Sequence, residues 1–406
     1  MRVLHINGAS EGGTISLLKD LHQSLLKKKI ISFIYTPHNL KLKNSLYPNR
    51  RSFNIYSNLI LIIKKIIQKF FLKNKESTTF GLFPSFEIDR IIKIVKPDLI
   101  HLHWVGNEFL SLKEIENFKI PVVWTMHDLW LINSINHYPN TINKNLSTKL
   151  ISKIVDYKKK KILKLNSKVI ATSNWTFKKL NKKFEFKNKS FLIPCGIDFK
   201  KWYPENKKKA KKILGLKDKK TILIIAYGLK NSRKGFSFFI KSMDKIKFDY
   251  QLLIVGDQKP EYLENKNFKF IYKPSTYNKR RLIYNAADLI IIPSLYEAFG
   301  LVSLEAAACN VPSVIFNNTG LTDIIKHKKT GYIAKYKNYN DLAKGINWII
   351  TKLEQDVSIF KTCRKYVIKK FDINNIAKEY IHIYKKLNYQ KNIQKINNFN
   401  NEKTNL

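Results

Sequence analysis

Glu297 and Glu305 stand eight residues apart in the segment Ser294–Pro312, SLYEAFGLVSLEAAACNVP. The continuous apolar run Leu289–Ile292 precedes them and predicts a buried strand, so Glu297 falls in the loop at that strand's carboxyl end. Phe299-Gly300-Leu301 then opens a helix. Free backbone N–H groups and the helix dipole at such a start favour a phosphate, and Gly300 lets a ligand approach the backbone closely. Glu305 lies about one turn into the helix, where a carboxylate accepts hydrogen bonds from a pair of vicinal hydroxyls. Two carboxylates straddling a helix start can grip a sugar at one end of a nucleotide and a ribose at the other. The plainer reading is a helix N-terminus with favourable acidic residues.

Three further segments carry chemistry. In Asn231-Ser232-Arg233-Lys234-Gly235, two cations beside a glycine at a helix start suit a diphosphate. In Trp124-Thr125-Met126-His127-Asp128-Leu129-Trp130, His127 sits where a buried strand runs out into its loop. Gly8–Gly13, GASEGG, joins the first strand to the first helix and is a loop that a ligand can approach. It is no dinucleotide fingerprint, because the G-x-G-x-x-G spacing is absent. Each segment also has a plainer reading: one more basic pair among 75 Lys and Arg, a core histidine, a flexible connection.

The elements that must hold these residues read clearly. Strands are expected at Arg2–Asn7, Asp98–His103, Val122–His127, Val169–Ser173 and Phe191–Pro194, then at Thr221–Ala226, Leu252–Val255, Phe268–Ile271, Leu289–Ile292, Ser313–Phe316 and Gly331–Ala334. Most are near-continuous Ile/Leu/Val runs, as parallel strands covered on both faces require. Amphipathic helical stretches alternate with them, among them Ile15–Lys27, Phe86–Ile94, Ile151–Leu165, Asn278–Ala287 and Leu342–Glu354, which implies an α/β architecture. The first strand set ends near Pro194, and a polar, Lys-rich stretch, Phe199–Lys220, precedes the second. This predicts Rossmann-like domains over residues 1–197 and 198–372, a last helix over 373–386, and a disordered Asn/Lys/Gln-rich tail over 387–406.

Composition narrows the class. With 406 residues, 44% hydrophobic and 13% aromatic, the chain is long and apolar enough for two packed cores. Three cysteines build no disulfide framework, and no Cys/His cluster suggests zinc, so a reduced cytoplasmic setting is expected. MRVLHING lacks the features of a signal peptide, and no uninterrupted 18-residue apolar run predicts a membrane span. The net charge of +45 fits compositional drift in a chain loaded with Lys, Asn and Ile, its lysines spread over the whole length, with attraction to a polyanion as the functional alternative. Lys27–Lys75 holds twelve Lys and Arg and no acidic residue. Within it, Asn58–Lys73, NLILIIKKIIQKFFLK, reads as a basic amphipathic helix suited to an anionic membrane or to an ordinary protein surface. No G-x-S-x-G elbow supports a hydrolase, and no RNA-binding aromatic motif or zinc finger supports nucleic-acid binding.

With these residues in view, the Glu297–Glu305 segment resembles the E-x7-E signature of glycosyltransferase family 4, retaining sugar-nucleotide transferases of the GT-B fold. The resemblance extends over about residues 1–386. It implies α/β architecture of the GT-B type, two Rossmann-like domains facing a central cleft, the first binding the acceptor and the second the nucleotide sugar. By this resemblance Glu297 contacts the donor sugar, the loop at Phe299, Gly300 and Leu301 contacts sugar or phosphate, and Glu305 binds ribose. Lys234, just before Gly235, binds the diphosphate. The family's second basic residue, after an earlier glycine, is missing at Gly228-Leu229, and Arg233 or Lys230 stands in for it. His127 matches the family histidine on the donor sugar, so His127, Glu297 and Lys234 are the expected catalytic residues. Gly12 and Gly13 match the loop over the reaction centre, near the acceptor. His137 matches an acceptor-side histidine of the colanic-acid-type subgroup, although Asn133–Asn136 replaces that subgroup's glycines and cysteine. Gly256 falls near the base pocket, with Gln258 in place of a second glycine, and Asn310 replaces a turn glycine. The activity implied is transfer from a nucleoside-diphosphate sugar to a glycan or lipid-linked acceptor in exopolysaccharide, capsule or lipopolysaccharide synthesis. No metal or other cofactor and no nucleic acid is expected, and the location implied is cytoplasmic, peripheral to the inner face of the plasma membrane. A nucleotide-sugar epimerase on the same fold and a basic polyanion-binding protein without catalysis are the alternatives.

Overall fold

The computed structural model describes the chain except residues 10, 73–77, 86, 140–145, 165, 166, 183–188, 229, 230, 261, 262, 264–267, 275, 357, 359, 405 and 406. It divides into two compact units, Met1–Pro194 with Ile373–Leu406, and Cys195–Asp372. Cys195-Gly196-Ile197 thus belong to the second unit.

Unit 1 is built on seven parallel strands: β1 Arg2–Ile6, β2 Ile31–Tyr35, β3 Ser45–Leu46, β4 Leu99–Leu102, β5 Val122–Met126, β6 Ser167–Ala171 and β7 Ser190–Leu192. They lie in the order β3-β2-β1-β4-β5-β6-β7. Every position of β4 and β5 is buried, the signature of a sheet covered on both faces. β2 and β3 go beyond the expected strands. β2 follows three lysines and leaves Ile31 in solvent, and β3 has only two residues, so neither makes a continuous apolar run.

The last helix, Ile373–Thr404, belongs to unit 1. Ile373, Ile376, Ala377, Tyr380, Ile383, Tyr384 and Leu387 repeat at helical spacing and are buried against Val3, Leu21, Leu25, Leu99 and Ile170. The tail expected to be disordered is instead a continuation of this helix as far as Thr404. No glycine or proline interrupts the sequence after Ile373, so a packed amphipathic start propagates without a breaker.

Unit 2 holds six parallel strands: β8 Lys220–Ala226, β9 Tyr250–Gly256, β10 Phe268–Tyr272, β11 Leu289–Ile292, β12 Ser313–Phe316 and β13 Gly331–Ala334. Their order is β10-β9-β8-β11-β12-β13. The strand order reverses between β1 and β4 in unit 1 and between β8 and β11 in unit 2, and open parallel sheets bind ligands beyond the carboxyl ends at such points. The polar stretch Phe199–Lys220 packs into unit 2. Trp202 is buried, and Lys207 and Lys211 reach Asp288 at 2.7 and 3.2 Å. Among the described residues no helix is long and apolar enough to cross a membrane.

Ile376 is central to the packing of the last helix. Replacing it with Ala is expected to destabilise unit 1 by about 2–5 kcal/mol, the range for emptying a buried branched side chain, read from the urea unfolding midpoint.

Candidate functional site

In unit 2 the loops after β8 and β11 meet. The Leu295 amide donates to the Arg233 carbonyl at 2.8 Å, and the Arg233 guanidinium donates to the Tyr296 carbonyl at 2.9 Å. Gly235, at φ +64°, lies against the end of β11, where a side-chain carbon would sit 1.9 Å from the Pro293 carbonyl oxygen. Only glycine fits there, so its role is steric as well as conformational. This contact brings three predicted residues together. Lys234 Nζ lies 3.2 Å and Arg233 Nη1 lies 3.6 Å from Glu297 Oε2. Burial alone would raise the Glu297 pKa, but Lys234 and Arg233 outweigh it and hold the carboxyl below its ordinary value. Burial and the neighbouring Arg233 lower the Lys234 ammonium, and Glu297 opposes them. Lys230, the other candidate cation, lies outside the described residues.

Gly300 precedes the helix Leu301–Ala308 at φ +105°, with no side-chain cap. The first intrahelical bonds run from Ser303 and Leu304 to the Gly300 carbonyl, leaving the Leu301 and Val302 amides ahead of them. The Glu297 carbonyl accepts from the Gly320 amide at 2.8 Å, which ties in the loop Asn318–Gly320. The Phe299 side chain is turned into the core against Phe371, ring centroids 5.6 Å apart, so only its backbone remains for a ligand. Gly256 ends β9, and the neighbouring Asp257 accepts from the Gly228 amide at 2.8 Å.

Glu305 is buried with two partners that the sequence reading missed. Tyr284 donates to its Oε2 at 2.7 Å, and Arg280 lies 3.4 Å from its Oε1. Arg280 is itself held over the rings of Trp202 and Tyr277 at 5.0 and 4.9 Å. Arg280 and Tyr284 are four apart on the helix Tyr277–Ala286, so they share a face. That spacing was the available signal.

In unit 1 His127 and His137 lie together beyond the end of β5. His127 Nε2 lies 3.0 Å from His103 Nδ1, and His103 Nε2 lies 3.0 Å from His5 Nδ1. Burial pushes His5 down to about 3 and His127 down to about 4, so both rings are neutral. His137 bonds Asp128 at 2.5 Å, and Asp128 also accepts from the Trp104 indole and the Trp130 amide at 2.8 Å each. Burial would raise the Asp128 pKa, but His137 and these donors lower it overall. Gly12 precedes the helix that begins at Gly13, at φ +95° with open space where a side chain would be. One ring nitrogen each from His5, His101 and His103 comes within 4.8 Å of the others. Both nitrogens of His101 are taken by the hydroxyls of Thr125 and Tyr384, so the trio offers no set of three free lone pairs to a metal.

The family described as "Glycosyltransferase Family 4" matches residues 58–201, and "Glycosyl transferases group 1" matches residues 206–366. The chain belongs to glycosyltransferase family 4. It is 29% identical over 191 residues to an uncharacterized glycosyltransferase of Methanocaldococcus jannaschii, covering 45% of this chain and 49% of that protein. The match therefore spans about half the length of that relative. The capsular polysaccharide biosynthesis glycosyltransferase CapM of Staphylococcus aureus is 24% identical over 404 residues, 94% of this chain and 96% of CapM. Among solved structures, Anabaena HepE in complex with UDP and glucose superposes with a TM-score of 0.68 at 16% identity, covering 95% of this chain and 100% of that one. The fold of this family member is GT-B.

Gly235→Ala in this protein is expected to force the loops after β8 and β11 apart. A drop in the thermal midpoint is the anticipated result, checked by calorimetry on the variant.

Proposed function

We propose that this protein transfers a sugar from a nucleoside-diphosphate donor to a glycan or lipid-linked acceptor in cell-surface polysaccharide synthesis. The convergence of Lys234 and Arg233 on Glu297, beside the uncapped helix start at Gly300, carries this reading. Negative charge builds on the leaving diphosphate during transfer. Two fixed cations and the amides at Leu301 and Val302 supply stabilisation there without reorganising. Glu297 stays ionised and accepts from sugar hydroxyls, while Glu305 accepts from the ribose. His127, neutral, hydrogen-bonds the sugar. Transfer proceeds with retention: the acceptor hydroxyl attacks from the face the diphosphate leaves, the anomeric C–O bond to the diphosphate breaks, and the departing phosphate takes the hydroxyl proton. The capsule-related name of CapM and the UDP and glucose bound by HepE support a polysaccharide product and make a UDP-sugar the first donor to test.

Calorimetric titration with UDP, GDP and ADP in the presence of chelator is expected to give tight, base-selective binding. Glu297→Ala should lower transfer by about 10²–10³-fold with an unchanged circular dichroism spectrum. Folded protein that binds no nucleotide but binds RNA with steep salt dependence would replace this reading with a polyanion-binding one.

We propose also that the acceptor is met at an anionic membrane. The helix Arg50–Ile67 and the turn Gln68–Leu72 carry Ile55, Leu59, Ile62, Ile66 and Phe70, all exposed and repeating along one side. Lys65 and Lys69 are exposed beside them. Lys64 is excluded from this role: it is buried, 3.8 Å from the Glu108 carboxylate. In sedimentation with anionic vesicles, Lys65→Gln and Lys69→Gln are each expected to weaken binding about fivefold, from roughly 1 kcal/mol per lysine near the surface. Leu59→Gln with Ile62→Gln should release the protein even at low salt. Equal sedimentation of all variants would remove the membrane from this proposal.

A further inference from the structure

Three imidazoles form a hydrogen-bonded row inside unit 1. His5, His103 and His127 are joined by two contacts of 3.0 Å, and their rings stack at interplanar angles of 29° and 22°. The row begins at the fully buried His5 and ends at His127, which lines a small pocket with Trp104, Asp128, Trp130 and His137.

A neutral imidazole has one N–H and one bare nitrogen. His103 therefore donates to one neighbour and accepts from the other, and both hydrogen bonds run in the same direction. If they run outward, His5 donates to His103, His103 donates to His127 Nε2, and the His127 proton sits on Nδ1. If they run inward, His127 donates from Nε2 and its Nδ1 is bare. The buried end decides between them. His5 Nε2 has no partner among the described residues. An outward row leaves a bare lone pair there, and an inward row leaves an N–H. Among backbone groups in protein interiors an orphaned N–H is rarer than an under-satisfied acceptor, and the same order applied to the His5 ring selects the outward row. A charged ring would escape the constraint, but burial disfavours charge on all three; the neighbouring imidazoles add to it at His103 and His22 adds to it at His5, while Asp128 opposes it at His127 without overcoming burial. His101 packs against His103 with ring centroids 4.0 Å apart and stays out of the row, its nitrogens engaged by Thr125 and Tyr384. Asp128 directs its carboxylate to His137, Trp104 and the Trp130 amide.

We propose that His103, backed by His5, is a positioning residue that locks His127 as the Nδ1–H tautomer, so that His127 offers a hydrogen-bond donor to a sugar oxygen. The use of that donor rests on the transferase reading; the tautomer does not. The test is a long-range ¹H–¹⁵N correlation spectrum of the full-length, ¹⁵N-labelled protein without substrate, with His127→Gln identifying the His127 signals by their loss. The expected spectrum has His127 Nδ1 protonated and Nε2 bare. His103→Asn keeps an N–H donor near the Nδ1 position and should preserve this pattern, whereas His103→Leu should let Nε2 take the proton. With a donor sugar, His103→Leu should lower kcat/KM about tenfold, the value of one hydrogen bond, and His103→Asn should recover most of it. A wild-type His127 protonated on Nε2 overturns the proposal outright, whatever the transfer assays give. Absence of transfer in a wild-type protein with the Nδ1–H tautomer overturns the transferase reading instead.

Discussion

A parallel sheet covered on both faces admits no water, so polar groups inside it must find partners or lie beyond the strand ends. Unit 2 obeys this constraint. β11 is four buried aliphatic residues; Asp288 just before it is paired with Lys207 and Lys211, and past its carboxyl end the first charge is Glu297. The close approach of Gly235 to the Pro293 carbonyl and the bond from Leu295 to Arg233 then lock the loops that follow β8 and β11. Glu297 meets Lys234 and Arg233 because those two loops cannot separate. The helix start at Gly300 and the loop at Gly320 are aligned by the same backbone.

Unit 1 places polarity inside the strands instead. His5 on β1 faces His101 on β4, two residues from His103, which follows the strand end. Such residues are tolerated because nearly every ring nitrogen has a partner: Thr125 and Tyr384 for His101, and the imidazoles themselves for the rest. A buried polar network that is satisfied in this way is rigid, and each ring restricts the proton position of the next. Tyr384 comes from the last helix, so the end of the chain helps to hold the middle of the sheet.

The helix Leu301–Ala308 is fixed at both ends by different means. Its start is left open by Gly300, and its last carbonyl, from Ala308, accepts from Arg364 at 2.6 Å. Arg364 also reaches the carbonyls of Phe199 and Trp202 in the stretch that reads as polar in sequence. That clamp holds Trp202 beside Arg280, and through Arg280 it steadies the carboxylate of Glu305.

The sequence alone determined the elements and the residues with chemical potential. Continuous Ile/Leu/Val runs mark buried parallel strands because burial leaves a local record in residue type, and β9 and β11 lie where such runs lie. Glu297, Lys234 and His127 stood out because their position just past such runs is itself local. The short or half-exposed β2 and β3 left no such record. Tertiary structure decided the pairings. Lys234 and Glu297 are 63 residues apart, and only the adjacency of β8 and β11 brings them to 3.2 Å. The same holds for Arg280 with Glu305, for Lys64 withdrawn to Glu108, and for the histidine row that spans β1, β4 and β5. A side chain's type is local, but its partner depends on the order in which strands assemble, and no short window of sequence records that order.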